Sequence, residues 1–345
     1  MSRWIDNSTE ERLMILTAVR GKTNLPLAAI EKDWWVSMIL KALFSLPTAP
    51  FMYFKGGTSL SKAWKIIDRF SEDIDLSLYR DFFLEECGLS YAKCSNNNQI
   101  KYLRKASRDY VTVTLRDNLE NALINMGLEG VTVEAVNEHM TADGPKPIDH
   151  DRDPSVLLVY YPSVVDVNIG YLHPYVKVEI SCLSMKEPFE VRRIGSLVEE
   201  AFPTEDSDSV SDIPTISPAR TFLEKMFLLN EEFQRNNPRS NRMSRHLYDL
   251  ERLMTMGFDK FALSDQTLYY EIVEHRRKFY HVGGVDYDLN YPDKISFCPT
   301  GELRARYATD YETMKSSMIY GEKIEFDELM KRLLKLQSGI HNINR

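Results

Sequence analysis

Cysteine, long apolar runs and net positive charge are all in short supply in this 345-residue chain. Its four cysteines, Cys87, Cys94, Cys182 and Cys298, form no CxxC pair, and the step from Cys87 to Cys94 is too wide for a usual zinc knuckle. Free thiols in a reducing cytosol are expected rather than a disulfide framework. No apolar run approaches the ~20 residues needed to span a bilayer. The N-terminal MSRWIDNSTEERLMILTAVRG carries charge throughout and has no apolar centre of a signal peptide. A cytoplasmic protein with no membrane partner is the expectation. Lys and Arg number 43 against 51 Asp and Glu, a formal net charge of -8. A basic field over the whole molecule is therefore excluded, and any nucleic acid would have to grip a local patch. There is no internal repeat.

What is present is ordinary globular material: 43% hydrophobic and 27% charged residues, in a length that suggests two domains. Asn7 to Ala18 reads as a helix opening at Ser8 or Thr9 ahead of Glu10 and Glu11. A second helix is expected from Pro26 to Leu46, with Ile30, Trp34, Trp35, Ile39, Leu40 and Leu43 at helical spacing. Phe51 to Phe54 is a short apolar run bounded by Pro50 and by Gly56-Gly57, which suits a buried strand ending in a tight turn. Helical periodicity returns over Ser59 to Ile67. Asp73 to Leu78, DIDLSL, alternates with period 2 and reads as a strand. Asn97 to Met126 is helical in pattern. Val131 to Ala135, Ser155 to Tyr161 and Tyr175 to Leu183 are rich in strand formers. The acidic, Ser- and Pro-containing Phe202 to Pro218 is the candidate linker, with room for one short strand at Ile213 to Ile216. Beyond it, Arg220 to Phe233, Ser244 to Met256 and Phe326 to Leu336 are helical.

The chemistry concentrates in Phe54 to Leu78. Gly56 and Gly57 sit between strand and helix, where the absence of side chains permits a sharp turn and a close approach of backbone to ligand. The following helix begins at Thr58-Ser59, and its free amides and positive dipole end suit a phosphate. The two hydroxyls can add hydrogen bonds, and Lys55 is adjacent. An ordinary glycine turn before a capped helix would look the same in isolation. Asp73 and Asp75 change the balance. Residues i and i+2 of a strand share a face about 6–7 Å apart, and two carboxylates there repel unless a cation stands between them. Mg²⁺ is commonly held by one or two carboxylates plus substrate phosphates. A solvated acidic strand face is the plain alternative. Two-metal nucleotidyl transfer calls for a third acid. Glu179, between Val178 and Ile180 in YVKVEISCL, is the candidate, with an ion pair to nearby Lys177 as the alternative.

These residues carry a resemblance. Lys55-Gly56-Gly57-Thr58-Ser59-Leu60, followed by Arg69-Phe70-Ser71-Glu72-Asp73-Ile74-Asp75-Leu76, resembles the AbiEii/AbiGii toxin family of the DNA polymerase β-like nucleotidyltransferase superfamily. Glu179 fits the later acid of that superfamily's pattern. Glu31-Lys32-Asp33-Trp34-Trp35-Val36 is similar to the family's EKD-aromatic-aromatic-V segment. Arg220 to Lys225 resembles its lysine helix, and Arg245 to Leu250 its RxxYDL helix. The likeness covers Ile30 to Leu253, and nothing beyond about Phe258 is placed by it.

The resemblance implies an α+β fold. A nucleotidyltransferase-type mixed sheet flanked by helices (1–205, with the N-terminal helices) would be followed by a mainly helical C-terminal domain (206–345) contributing to the active site. It implies the toxin of a bacterial toxin–antitoxin or phage-defence system, with a cognate antitoxin as partner. The expected reaction is transfer of a nucleotide from an NTP to RNA, at the tRNA 3′ end, inhibiting translation. In that scheme Asp73, Asp75 and Glu179 hold Mg²⁺ or Mn²⁺. Lys55, Gly56, Gly57, Thr58 and Ser59 cradle phosphates, and Lys225 reaches the β/γ-phosphates as a point charge. Asp249 orients Lys225 or contacts base or metal, its alternative being a helix ion pair with Arg245 or Arg252. Arg69 is expected to support the acidic strand. RNA phosphates would meet Arg235, Arg239, Arg242 and Arg245, or else Lys101, Arg104, Lys105 and Arg108; solvated surface is the alternative for both stretches. Transfer to a protein or a small molecule is a second reading, and a non-catalytic NTP-binding regulator a third.

Overall fold

The computed structural model describes residues 3–141, 143–165 and 173–342. These divide into two compact units: Met1–Ala63 with Ser71–Ile216, and Trp64–Phe70 with Ser217–Arg345. The chain therefore leaves the first unit after Ala63, returns at Ser71, and leaves again after Ile216.

The first unit is built on a mixed sheet. Its nine described strands are β1 (Met52–Lys55), β2 (Ile74–Leu78), β3 (Thr132–Ala135), β4 (Glu138–Thr141), β5 (Gly144–Pro147), β6 (Ser155–Tyr160), β7 (Tyr175–Ser181), β8 (Phe189–Ile194) and β9 (Ser211–Ile216). Seven form one sheet in the order β3-β6-β7-β2-β1-β9-β8, and β4 and β5 make a separate hairpin. β2 runs parallel to β7, β1 parallel to β9, and the other neighbours in the large sheet are antiparallel. This is the α+β mixed sheet flanked by helices that the sequence led us to expect. One face of the central strands is apolar: Phe54, Ile74, Leu76, Val178 and Ile180 are fully buried.

Helix α1 (Thr9–Thr23) starts at a capping box in which Ser8 and Glu11 each satisfy the other's backbone amide. Helix α2 (Leu27–Leu43) is buried almost all round, Trp34 and Trp35 included, and it contacts β7 and β9. A helix so nearly enclosed is a central core element rather than a surface one. Trp4, Trp34, Trp35 and Tyr161 form a chain of ring contacts with centroids 4.9–5.0 Å apart.

Two sequence expectations shift. Helix α3 spans Gly56–Lys62 and does not continue to Ile67. Lys65 takes a left-handed φ of +53°, which ends the helical path as the chain enters the second unit. The candidate linker Phe202 to Pro218 is largely structured up to the point where the units part. Asp206 and Ser209 are buried, and β9 pairs along its whole length with β8. The units part at Ile216–Ser217, near the end of that stretch. β8 and the β4–β5 hairpin had no clear sequence signal.

The second unit is helical, as expected. Pro218–Phe233 and Ser244–Thr255 are joined by helices Phe258–Ser264, Gln266–Phe279, Gly301–Ser317 and Phe326–Ile340. The excursion Trp64–Phe70 is held there by backbone bonds from Phe70 to Met318 and from Tyr320 to Asp68. No helix among the described residues is long and apolar enough to cross a membrane.

Candidate active site

Register places the acids. Asp75 lies opposite Glu179 across the parallel β2–β7 pair and opposite Lys55 across the antiparallel β1–β2 pair. Strands stand about 4.8 Å apart, so three charged side chains line up across the sheet. Asp73, two residues before Asp75, shares its face. On this face the side chains of Asp73 and Glu179 are 26% and 31% exposed. The central strands β2 and β7 are thus apolar on one side and carry the acids on the other.

Lys177 stands among these acids. Its Nζ lies 2.6 Å from Glu179 and 3.7 Å from Asp73. Burial works against its charge, but Glu179 and Asp73 outweigh that and raise its pKa. The ion pair considered for Glu179 from sequence is therefore formed. Among the described residues, no group of three acidic, His or Cys side chains is arranged to hold a metal ion. The donor chemistry nevertheless suits a hard cation: oxygen ligands on one face, with a positive group already seated between two of them.

The glycine turn serves the acids directly. Gly56 has φ +81°, and a Cβ built there would come within 2.0 Å of the Asp75 carboxylate. The close approach that the missing side chain permits here is to Asp75. Thr58 and Ser59 are buried. The Thr58 hydroxyl bonds to the Asp73 carbonyl and lies 2.9 Å from Ser71 Oγ, and Ser59 donates to the Gly56 carbonyl at 2.9 Å. Both hydroxyls are engaged by protein, so a phosphate would meet backbone amides here; the first turn has no side-chain cap. Lys55 Nζ reaches Ser184 Oγ at 3.4 Å, and Ser77 donates to the same hydroxyl at 2.8 Å. Asp153 is half-buried with its pKa raised by burial, accepting from Ser181 and from the Cys182 amide.

The EKD segment is a brace for this face. Three consecutive charges on α2 tie three elements. Glu31 accepts from Ser163 and the Val164 amide. Lys32 pairs with Glu72 at 2.7 Å and donates to the His173 carbonyl. Asp33 pairs with Lys62 of α3 and accepts from the Leu197 amide. Glu72 immediately precedes Asp73, and His173 leads into β7. Nothing in the sequence indicated these contacts.

In the second unit, Lys225, Asp249 and Arg69 form a buried trio. Arg69 grips Asp249 with two bonds of 2.7 Å, and Lys225 lies 2.8 Å from the same carboxylate. Asp249 has no exposed surface. Burial alone would raise its pKa, but Arg69 and Lys225 overcome that and hold it well below the ordinary range. Burial lowers the pKa of Lys225, with the Arg69 charge adding to the effect. Two cations against one anion leave the trio with an excess of one positive charge. Next to it, His246 is kept neutral by burial and by the charges of Lys225 and Arg245. Arg69 thus braces Asp249 rather than the acidic strand. Asp249 also meets Lys225, the contact first expected of it, and Arg252, one of the alternative partners, reaches Asp68 at 3.4 Å.

The expected basic surfaces are partly spent. Arg235 and Arg239 both pair with Glu232, and Arg108 is buried, bonding to Val136 and Asn137. All four cysteines are free thiols.

The structure thus brings together a strand–glycine–helix turn, Asp73 and Asp75 at the start of β2, and Glu179 on the parallel neighbour. Residues 39–332 match the family of nucleotidyl transferase AbiEii toxins of type IV toxin–antitoxin systems, and the chain belongs to that family. Membership carries nucleotidyl transfer, a nucleotide substrate and an antitoxin partner. The match extends through the helices beyond Phe258 that sequence reading left unplaced, and begins after the EKD segment. No curated protein matches the chain.

Proposed function

We propose that this protein transfers a nucleotide from an NTP to RNA, with the tRNA 3′ end as acceptor, in a Mg²⁺- or Mn²⁺-dependent reaction. Blocking that end would inhibit translation and make the protein the toxin of its pair. The observation that carries the reading is Asp75 in register with Glu179, Asp73 on the same face, and a cationic group seated between Asp73 and Glu179.

Asp73, Asp75 and Glu179 would hold the cation. When bound, it neutralises triphosphate charge and lowers the pKa of an attacking hydroxyl. Glu179, or the carboxylate nearest that hydroxyl, takes its proton. Amides of Gly56 and Gly57, with Lys55, are proposed to meet phosphate oxygens. Thr58 and Ser59 contribute through their amides and by fixing the turn. Within the second unit, Asp249 and Arg69 hold Lys225 in place.

The test is incubation of the whole chain with Mg²⁺, each radiolabelled NTP in turn and total RNA, beside Asp75→Ala. Label on RNA of tRNA size that disappears in the variant is the expected result. Label on protein would redirect the reading to a protein acceptor. NTP binding without any transfer would redirect it to a regulator.

A further inference from the structure

Three carboxylates on one face of two adjacent strands repel one another when nothing positive lies between them. Lys177 precedes Glu179 by two residues on β7 and so shares its face. Because Ile74 pairs with Val178, Lys177 is level with Asp73 on the neighbouring strand. Its ammonium reaches both acids, at 2.6 and 3.7 Å, from a side chain that is one-third exposed. A four-carbon stem with an open side can swing away without moving the backbone.

We propose that Lys177 is an internal counter-cation. It holds the acidic face together in the metal-free protein, and the divalent ion binds by displacing its ammonium from between Asp73 and Glu179. Lys177 thereby sets how much metal is needed to load the site, as a positioning residue rather than a catalytic one. The inference rests on the metal-site reading above.

Manganese binding to the whole chain, followed by the electron paramagnetic resonance of free Mn²⁺, tests it without turnover. Wild type, Lys177→Met, Lys177→Arg and Asp75→Asn are compared, with circular dichroism to verify folding. Removing a partly exposed ammonium that contacts two carboxylates is expected to tighten Mn²⁺ binding roughly three- to tenfold. The metal-free Lys177→Met protein should melt below wild type and gain more from Mn²⁺. Lys177→Arg, which keeps the charge, should bind like wild type. If Lys177→Met does not fold, Lys177→Gln carries the same expectation. Equal or weaker Mn²⁺ binding by the neutral variant, with binding lost in Asp75→Asn, overturns the role of Lys177 and leaves the metal site standing. Unchanged binding in Asp75→Asn overturns the metal site itself. A purely structural lysine would lower stability without raising affinity.

Discussion

Gly56 and Arg69 show how single residues hold this chemistry in place. A side chain at Gly56 would meet both a left-handed backbone and the Asp75 carboxylate. Gly56→Ala is expected to lose about 1–3 kcal/mol from backbone strain alone, before the displacement of Asp75 is counted. Urea denaturation would read that loss, and nucleotidyl transfer should fall with it. Arg69 compensates Asp249 at a position with no solvent. Removing one partner of a buried pair costs about 3–5 kcal/mol, so Arg69→Ala should unfold at markedly lower denaturant. Arg69→Lys should recover only part of the loss, because an ammonium cannot reproduce the two-pronged grip. A variant as stable as wild type would remove the structural role assigned to Arg69.

At the scale of elements, α2 links its tandem charges to the acidic strands. Lys32 and Glu72 form a pair with 4% and 9% side-chain exposure. Lys32→Met and Glu72→Gln should each destabilise by about 3–5 kcal/mol, with the double variant losing much less than their sum. A double-mutant cycle by urea melting checks this, and strict additivity would show that the pair does not act as a unit. This brace also marks the limit of what pattern reading reaches. Period-2 alternation in DIDLSL and the Val, Ile and Tyr content of the β7 segment placed Asp75 and Glu179 on strands, with Asp73 falling just before β2. Helical spacing likewise found α2 and the Pro218–Phe233 helix. What pattern could not give was pairing between distant segments: Lys177 reaching across to Asp73, Glu72 held by Lys32, or Arg69 meeting Asp249 far along the chain. Over Phe202 to Pro218, composition suggested a linker with room for a strand at Ile213 to Ile216; the strand forms as Ser211–Ile216, and its parallel pairing with β1 is what no local signal announces.

Across the whole molecule, charge is distributed against its total. The chain is acidic by 8 charges, yet the trio of Lys225, Asp249 and Arg69 buries an excess of positive charge. His246 stays neutral beside it. Its folded pKa lies below its unfolded one, so below about pH 6.5 the unfolded chain binds a proton that the native chain refuses. Stability of the helical unit should therefore fall as pH drops through that range, by about 1.4 kcal/mol per pH unit at most for this residue. His246→Gln should flatten the slope in melts taken from pH 7.5 down to 5; an unchanged slope would contradict a neutral buried imidazole.

The central claim is that Asp73, Asp75 and Glu179 together support nucleotidyl transfer. It is tested most directly by pyrophosphate release from NTP in the presence of purified tRNA and Mg²⁺. The same assay would be run on Asp73→Asn, Asp75→Asn and Glu179→Gln proteins that retain native circular dichroism. The account predicts release in step with label incorporation for wild type, and a loss of roughly a hundred- to a thousandfold in each variant. Full-rate release by either aspartate variant would contradict it.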